Sequence, residues 1–407
     1  VAFHHAGLSE QQRRTVEQSF KEGDIKCIVA TPTLAAGVNV PARRVIIRDL
    51  WRYASEFGGM SPIPVLEIKQ MMGRAGRPGY DREGEAILIA KNKGEIERLW
   101  TQYIIAEVEP IYSKLGSEPA LRMHLLALIA THFASHIEEL YQFMARTFFV
   151  YQSSSLPTEK IQEILQFLEE NDFITSDGNY LKATTFGRKT SDLYIDPLSA
   201  LKLRTALESR IKPTVFSFLH AICTTPDMLC LYLRSTDSHW IMEKAEKEKY
   251  LFEDGFYSTL MNEWFLSEIK TASLLEDWIN EATEDQIVMK YNVGPGDIHN
   301  KVETATWLIH AMRELARMFN FEVVSPLNKL LIRIKNGCKE ELLNLIQLRD
   351  IGRVRSRALY KAGFKTINQL RDVDIKTLSK IPTIGERVAK SIKEQLGETD
   401  GTQNTWL

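Results

Sequence analysis

The segment Gln70-Met71-Met72-Gly73-Arg74-Ala75-Gly76-Arg77-Pro78-Gly79 brings two guanidiniums, a carboxamide and a Pro-Gly breaker into one short stretch. The spacing predicts a helix with Gln70, Arg74 and Arg77 on one face, at i, i+4 and i+7, ended by Pro78-Gly79. A glycine inside a helix costs about 1 kcal/mol relative to alanine. Gly73 and Gly76 therefore imply room for something to press on the backbone. Arginine offers phosphate oxygens a planar, permanently charged fork. The chemistry that suits this stretch is polyphosphate binding.

The pattern Q-x-x-G-R-x-G-R resembles motif VI of the superfamily-two helicases. That resemblance implies that Arg74 and Arg77 reach across an interlobe cleft to the phosphates of ATP, with Gln70 and Gly73 beside them. An arginine in that position can supply roughly 10³ to 10⁵ in rate. The small-residue loop 31–42 resembles helicase motif V, and His5-Ala6-Gly7-Leu8 resembles the block that precedes it. The resemblance implies that Thr33 holds the nucleic-acid backbone while Gly37 and Asn39 face the nucleotide. His4 and His5 read as packed or surface residues.

Between these motifs, Trp51, Tyr53 and Phe57 lead to Gly58-Gly59, followed by Pro62 and Pro64. Aromatics flanking a Gly-Gly turn predict a β-hairpin over the insert 48–65. In the archaeal Hjm-type DNA helicases a hairpin here parts the duplex, and an apolar wedge does so by replacing a stacking partner. By that resemblance Trp51, Tyr53 and Phe57 contact nucleic acid.

Strands at Val1-Ala2-Phe3, Ile25 to Ala30, Val45 to Ile47 and Glu85 to Ala90 alternate with helices, the first starting at a Ser9/Gln12 capping box and ending at Gly23. Alternation of this kind predicts an α/β lobe with a mainly parallel sheet. The sequence holds no G-x-x-x-x-G-K-[ST] and no D-E-x-[HD]. In helicases the phosphate cradle and the Mg2+ carboxylates sit in the preceding lobe. A chain that begins on Val1 is thus expected to be an excerpt with the second RecA-like lobe, short of its first strand or strands, and unable to hydrolyse ATP alone.

The second half reads helical. Ser117-Glu118-Pro119 starts one helix, and Ser135 with Glu138 caps another that ends near Tyr151. A third runs from Thr158 to Asn171 on the stripe Ile161, Ile164, Leu165 and Leu168, and a hairpin turns at Ser176-Asp177-Gly178-Asn179. Three helices and a hairpin predict a winged helix, which in this family mainly braces the lobes. Trp240, Trp264 and Trp278 read as core. Farther on, Asp297 is a candidate N-cap for a helix that puts Asn300, Glu303 or Thr304, and Trp307 on one face. This resembles the ratchet helix of the Hjm-type helicases, in which Trp307 would stack on a base. His299, Asn300 and Lys301 stand where the family carries an arginine.

Residues 339–396 hold 13 Lys/Arg against 7 Asp/Glu, a local net of +6. Leu348 to Gly352 and Ile381 to Gly385 are two h-x-x-I-G elements, each before a helix, and Arg353, Arg355 and Arg357 follow the first. These resemble a tandem helix-hairpin-helix, which presents backbone N–H groups to DNA phosphate. Asp350 and Thr383 occupy places where the usual pattern has glycine. The tail Gln403 to Leu407 is faintly like a sliding-clamp peptide.

The net charge of −2 excludes a uniformly basic nucleic-acid glue, so any such surface depends on local charge segregation. Cysteines 27, 223, 230 and 338 form no C-x-x-C; buried thiols in a reducing compartment are expected rather than a zinc or disulfide framework. No apolar run reaches the length of a membrane span.

The fold class expected is multidomain, α/β followed by mainly α. An incomplete second RecA-like lobe covers 1–112, a winged helix 113–196, a helical ratchet domain 197–336, and a helix-hairpin-helix domain with tail 337–407. Their order resembles the C-terminal portion of the Hjm-type, Ski-two-like DNA repair helicases. That implies an ATP-dependent, 3′-to-5′ helicase acting on forked or branched DNA in replication-coupled repair, with ATP and Mg2+ used by the complete protein and neither held by this excerpt. It implies single-stranded and forked DNA as partners, a sliding clamp or single-strand-binding protein as weaker ones, a monomer, and an intracellular place in cytoplasm or nucleoid. An RNA helicase of the same superfamily and a non-catalytic nucleic-acid-binding scaffold remain the alternatives.

Overall fold

Short strands and one amphipathic helix after another build two units, Val1–Ser113 and Lys114–Leu407. The structure, a computed structural model, describes the chain apart from residues 6, 9, 33–39, 41, 55–58, 77–80, 253–261 and 398–407. The tail segment 403–407 thus lies outside the described residues.

In the first unit β1 (Ala2–His4), α1 (Glu10–Glu22) and β2 (Ile28–Ala30) are followed by β3 (Arg44–Ile47), β4 (Trp51–Ala54), β5 (Gly59–Pro62), α2 (Val65–Met72), β6 (Glu85–Leu88) and α3 (Lys93–Leu99). β1 pairs with β2 and β3 with β6, both parallel, while β4 and β5 form an antiparallel hairpin. Parallel pairing is present as two separate pairs. A small core of Ile47, Leu50, Ile63, Ile68, Leu99 and Tyr103 holds the hairpin base to α2 and α3. The Tyr103 hydroxyl donates to the Ile63 carbonyl at 3.0 Å, so the buried phenol is satisfied.

The second unit continues with α4 (Glu118–Ala130), α5 (Ile137–Ala145), α6 (Phe148–Ser153), α7 (Thr158–Glu170), β7 (Ile174–Asp177), β8 (Tyr180–Ala183), α8 (Thr185–Leu193), α9 (Pro197–Glu208), α10 (Val215–Cys223) and α11 (Ser238–Lys247). It ends with α12 (Glu263–Ile279), α13 (Glu284–Tyr291), α14 (Pro295–Phe319), α15 (Val324–Asn336), α16 (Arg353–Lys361), α17 (Ile367–Arg371), α18 (Ile375–Ser379) and α19 (Glu386–Gly397). The stripe Ile161, Ile164, Leu165 and Leu168 is buried, as its spacing requires. One continuous core runs from Leu121 to Ile334, and a separate one, Leu345 to Leu396, fills the C-terminal module.

Five local expectations change. The cap expected at Ser135 with Glu138 forms at His136 instead, where the Glu139 carboxylate accepts from the Ser135 N–H at 2.8 Å and the His136 N–H at 3.1 Å. The helix expected to reach Tyr151 stops at Ala145, because Thr147 caps a new helix, its hydroxyl accepting from Val150 N–H at 3.4 Å. Asp297 is not the N-cap of α14. Gly294 is, and the Asp297 carboxylate accepts from its N–H at 2.9 Å. Trp264 is 77% exposed, not core: Phe265, Leu266 and Ile269 take the inward face of α12. Cys27 is exposed, while Cys223 and Cys338 are buried.

Candidate functional site

Among the described residues of the arginine segment, the expected helix does not run past Met72. α2 ends at Met72, and Gly73 caps it, its N–H donating to the Lys69 carbonyl at 2.8 Å. Gly76 sits at φ +93°, where a side chain would be strained, so the chain leaves helical geometry after one turn. The two glycines thus end a helix instead of loosening one. Gln70 is exposed on the last turn of α2, and Arg74 lies half-buried in the turn beyond.

Backbone from two other segments fixes that turn in place. Ala42 and Ala75 form a parallel bridge. The Ala42 N–H donates to the Arg74 carbonyl at 3.0 Å, and the Gly76 N–H to the Ala42 carbonyl at 2.7 Å. The end of the 31–42 loop is thereby tied to the arginine turn. From the other side Gly84 presses in: a Cβ there would lie 2.4 Å from the Gly76 nitrogen and 2.5 Å from the Ala75 carbonyl carbon. Gly84 was missed in the sequence because it sits outside the motif, and its signal is only steric. At its start α2 is held by Glu109, whose carboxylate accepts from the Leu66 N–H at 2.9 Å and the Val65 N–H at 2.5 Å. Those two bonds keep Glu109 below the usual carboxylate range.

Of the other nucleotide candidates, Gly37, Asn39 and Arg77 lie outside the described residues, as does Thr33. In the hairpin, Trp51 pairs across to Pro62 and is 45% exposed. Tyr53 pairs with Met60 in register, and Phe57 lies outside the described residues. Gly59 pairs with Ala54 and so belongs to β5, while Gly58 of the expected Gly58-Gly59 turn lies outside the described residues.

In the second unit Asn300 is exposed near the start of α14. Trp307 is half-buried, and its indole N–H donates to the Leu193 carbonyl at the end of α8 at 3.0 Å. The three arginines of the C-terminal module face inward to different degrees. Arg357 makes a fork with Glu281, 2.7 Å from each of Nε and Nη2, and reaches Glu341 at 2.6 Å. Those bonds raise its pKa further above the ordinary arginine value. Arg353 lies over the Trp278 ring at 4.5 Å. Arg355 donates to the Thr383 carbonyl at 3.2 Å and to the Asp350 carbonyl at 2.5 Å. Asp350 and Thr383 have φ +65° and +69°, so each h-x-x-I-G element bends through the left-handed region without glycine. Arg355 links the two bends.

The helicase conserved C-terminal domain family matches residues 1–79, ending on the arginine segment. A helix-turn-helix domain family matches 84–175, the archaeal helicase domain 4 family 216–337, and the SAM-like helix-hairpin-helix tandem family 342–398. The ATP-dependent DNA helicase Hel308 of Methanocella arvoryzae is 48% identical over 405 residues, covering 98% of this chain and 54% of the relative. Over nearly its whole length the chain is similar to archaeal proteins named Hel308. Proteins of the same name from Pyrococcus horikoshii and Pyrococcus abyssi are 44% and 43% identical, again over 98% of this chain and 56% of each relative. The chain spans about half the length of these relatives. Its helicase C-terminal, helix-turn-helix and helix-hairpin-helix domains follow in that order on a mostly helical body. Among the described residues no helix is long and apolar enough to cross a membrane.

Proposed function

We propose that the chain is the C-terminal portion of an ATP-dependent, 3′-to-5′ DNA helicase, in which the turn at Arg74 senses nucleotide and the helical body grips one strand. The observation that carries the reading is the Ala42–Ala75 bridge. It couples the end of the loop proposed to touch strand and nucleotide to the turn that bears the arginine. The link is backbone to backbone, with two hydrogen bonds between the segments.

In this reading the first unit is a second RecA-like lobe, and the segment 113–196 is a winged helix. Gln70, Gly73, Arg74 and Arg77 face the ATP phosphates, with Gly37 and Asn39 beside them. ATP, when bound, would supply the polyphosphate that these donors hold. The cationic and amide donors suit a polyphosphate, whereas no cluster of carboxylates able to hold a metal ion occurs among the described residues. Thr33 holds the strand backbone, and Trp51, Tyr53 and Phe57 on the 48–65 hairpin part the duplex. Asn300 and Trp307 on the α14 ratchet contact the translocating strand, where stacking on a base contributes roughly 1–3 kcal/mol. The bond from Trp307 to Leu193 supports this, since it fixes the ring plane before a base arrives. Forked DNA is the proposed substrate, and a monomer the proposed working form. Arg353 and Arg357 are reassigned to holding the C-terminal module on the body, leaving Arg355 and the hairpin amides toward DNA phosphate.

The test is Arg74→Ala and Arg77→Ala in the complete protein. ATP hydrolysis is expected to fall roughly 10³-fold or more, with strand binding retained. Unwinding at the wild-type rate would leave a passive binding scaffold as the better reading. Affinity for DNA against RNA of one sequence decides between the two strand types.

A further inference from the structure

α8 ends on a residue with a strained backbone and an unoccupied side chain. Tyr194 lies at φ 61°, ψ 30°, in the left-handed region, which a bulky residue enters at a steric cost. Its ring is 65% exposed, and its hydroxyl has no hydrogen-bond partner among the described residues. Glycine would cap the helix without strain, so neither packing nor capping explains a tyrosine here. One residue earlier, the Leu193 carbonyl holds the Trp307 indole.

Toward the start of α8 the same seam becomes basic. Arg188, Lys189 and Asp192 line an open groove together with Glu314 and Arg317 of α14. Glu314 is shared by three cations, with Arg313 at 2.8 Å, Lys189 at 3.2 Å and Arg317 at 3.6 Å. A single carboxylate cannot neutralise all three. Arg188 is exposed and has no carboxylate partner among the described residues. Burial, together with the charge of Arg313, holds the neighbouring His310 below its ordinary pKa. The Leu193–Trp307 and Lys189–Glu314 bonds run along the same two helices, so the seam carries cations at one end and an exposed, strained aromatic ring at the other, a combination that reads phosphates and base faces without regard to sequence.

We propose that the α8–α14 seam is a further contact for a single nucleic-acid strand, with Tyr194 stacking on a base and Arg188 and Arg317 receiving phosphates. The inference rests on the strand-binding reading above and adds residues that reading does not use.

The experiment measures anisotropy of a fluorescent oligodeoxythymidine titrated with the 407-residue chain at several salt concentrations. Tyr194→Gly removes ring and strain together. Thermal stability is expected to hold or rise while affinity falls roughly 5- to 150-fold, and Tyr194→Trp is expected to restore binding. A lower melting temperature with unchanged affinity would show a structural tyrosine and overturn the proposal. Arg188→Gln combined with Arg317→Gln should make the slope of log K against log[salt] shallower by about 1.4, at about 0.7 per phosphate; an unaltered slope overturns the phosphate assignment. If the wild-type chain binds no strand at any salt, the general strand-binding reading falls and the seam with it. If the wild type binds and every variant matches it, only the seam is wrong.

Discussion

Lys270 is an ammonium with 2% of its surface exposed, set in α12 between the Tyr232 carbonyl at 2.8 Å and the Asp237 carboxylate at 2.6 Å. Burial lowers its pKa, against the pull of Asp237. Burial would raise Asp237, but bonds from Arg234 and Lys270 override it and hold the carboxyl at about 2. Lys270→Met would leave that carboxylate buried with Arg234 alone. A loss of about 3–5 kcal/mol is expected in urea unfolding, with a smaller loss when Asp237 is replaced by leucine as well. The sign of the pH dependence follows from the depressed value. Asp237 stabilises the fold above its ordinary value of 3.8, and that contribution is lost as pH falls through about 2. The stability gap between wild type and Asp237→Asn should therefore be full near neutral pH and shrink on acidification. A gap that does not change with pH would show that the charge is not what matters.

At the scale of elements, two contacts hold the segments proposed above for nucleotide and strand. Gly84 gives the arginine turn its second wall, and any Cβ there meets backbone rather than a movable side-chain end. Gly84→Ala is expected to cost about 1–3 kcal/mol through a forced backbone shift and to depress ATP hydrolysis by the complete protein more than strand binding. Equal losses in both would point to general unfolding of the lobe instead. The second contact is the corner between α12 and α13. There Glu281, at φ +71°, receives Arg357 and also the Lys339 N–H at 3.0 Å. The C-terminal module is thereby joined to the helical body by a half-buried fork. Glu281→Gln should weaken that joint by about 1.5–3 kcal/mol. Faster amide exchange in Arg353–Lys361, with α14 unchanged, is the expected readout; exchange equal to wild type would mean the fork is dispensable.

For the whole molecule, the −2 net charge hides a C-terminal segment of +6. Strand binding by the chain alone should weaken as salt rises, with a slope of about −0.7 per phosphate neutralised. The same preparation is expected to show no nucleic-acid-stimulated ATP hydrolysis, since the sequence holds no Walker A segment. Turnover that survives removal of contaminating enzymes would mean the nucleotide site is built differently. A binding isotherm insensitive to salt would mean the basic segment does not touch the strand.

The order of domains could be read from local signals: the Q-x-x-G-R-x-G-R pattern, the Gly-Gly insert, the amphipathic stripe at Ile161 to Leu168 and the paired I-G elements. Such signals are set by spacing along the chain, and spacing is what a sequence displays. The geometry of the arginine turn could not be read so. Its helical period runs on through Arg77, yet helix α2 stops at Met72, because the Ala42 backbone pairs with Ala75 and Gly84 closes the far side. The arginines after the first I-G element look alike in sequence. Only folding brings Glu281, Glu341 and Trp278 to Arg357 and Arg353, and leaves Arg355 to bridge the two bends. Charge can be counted along a chain, but which charges neutralise each other depends on distance, and distance is settled by tertiary packing.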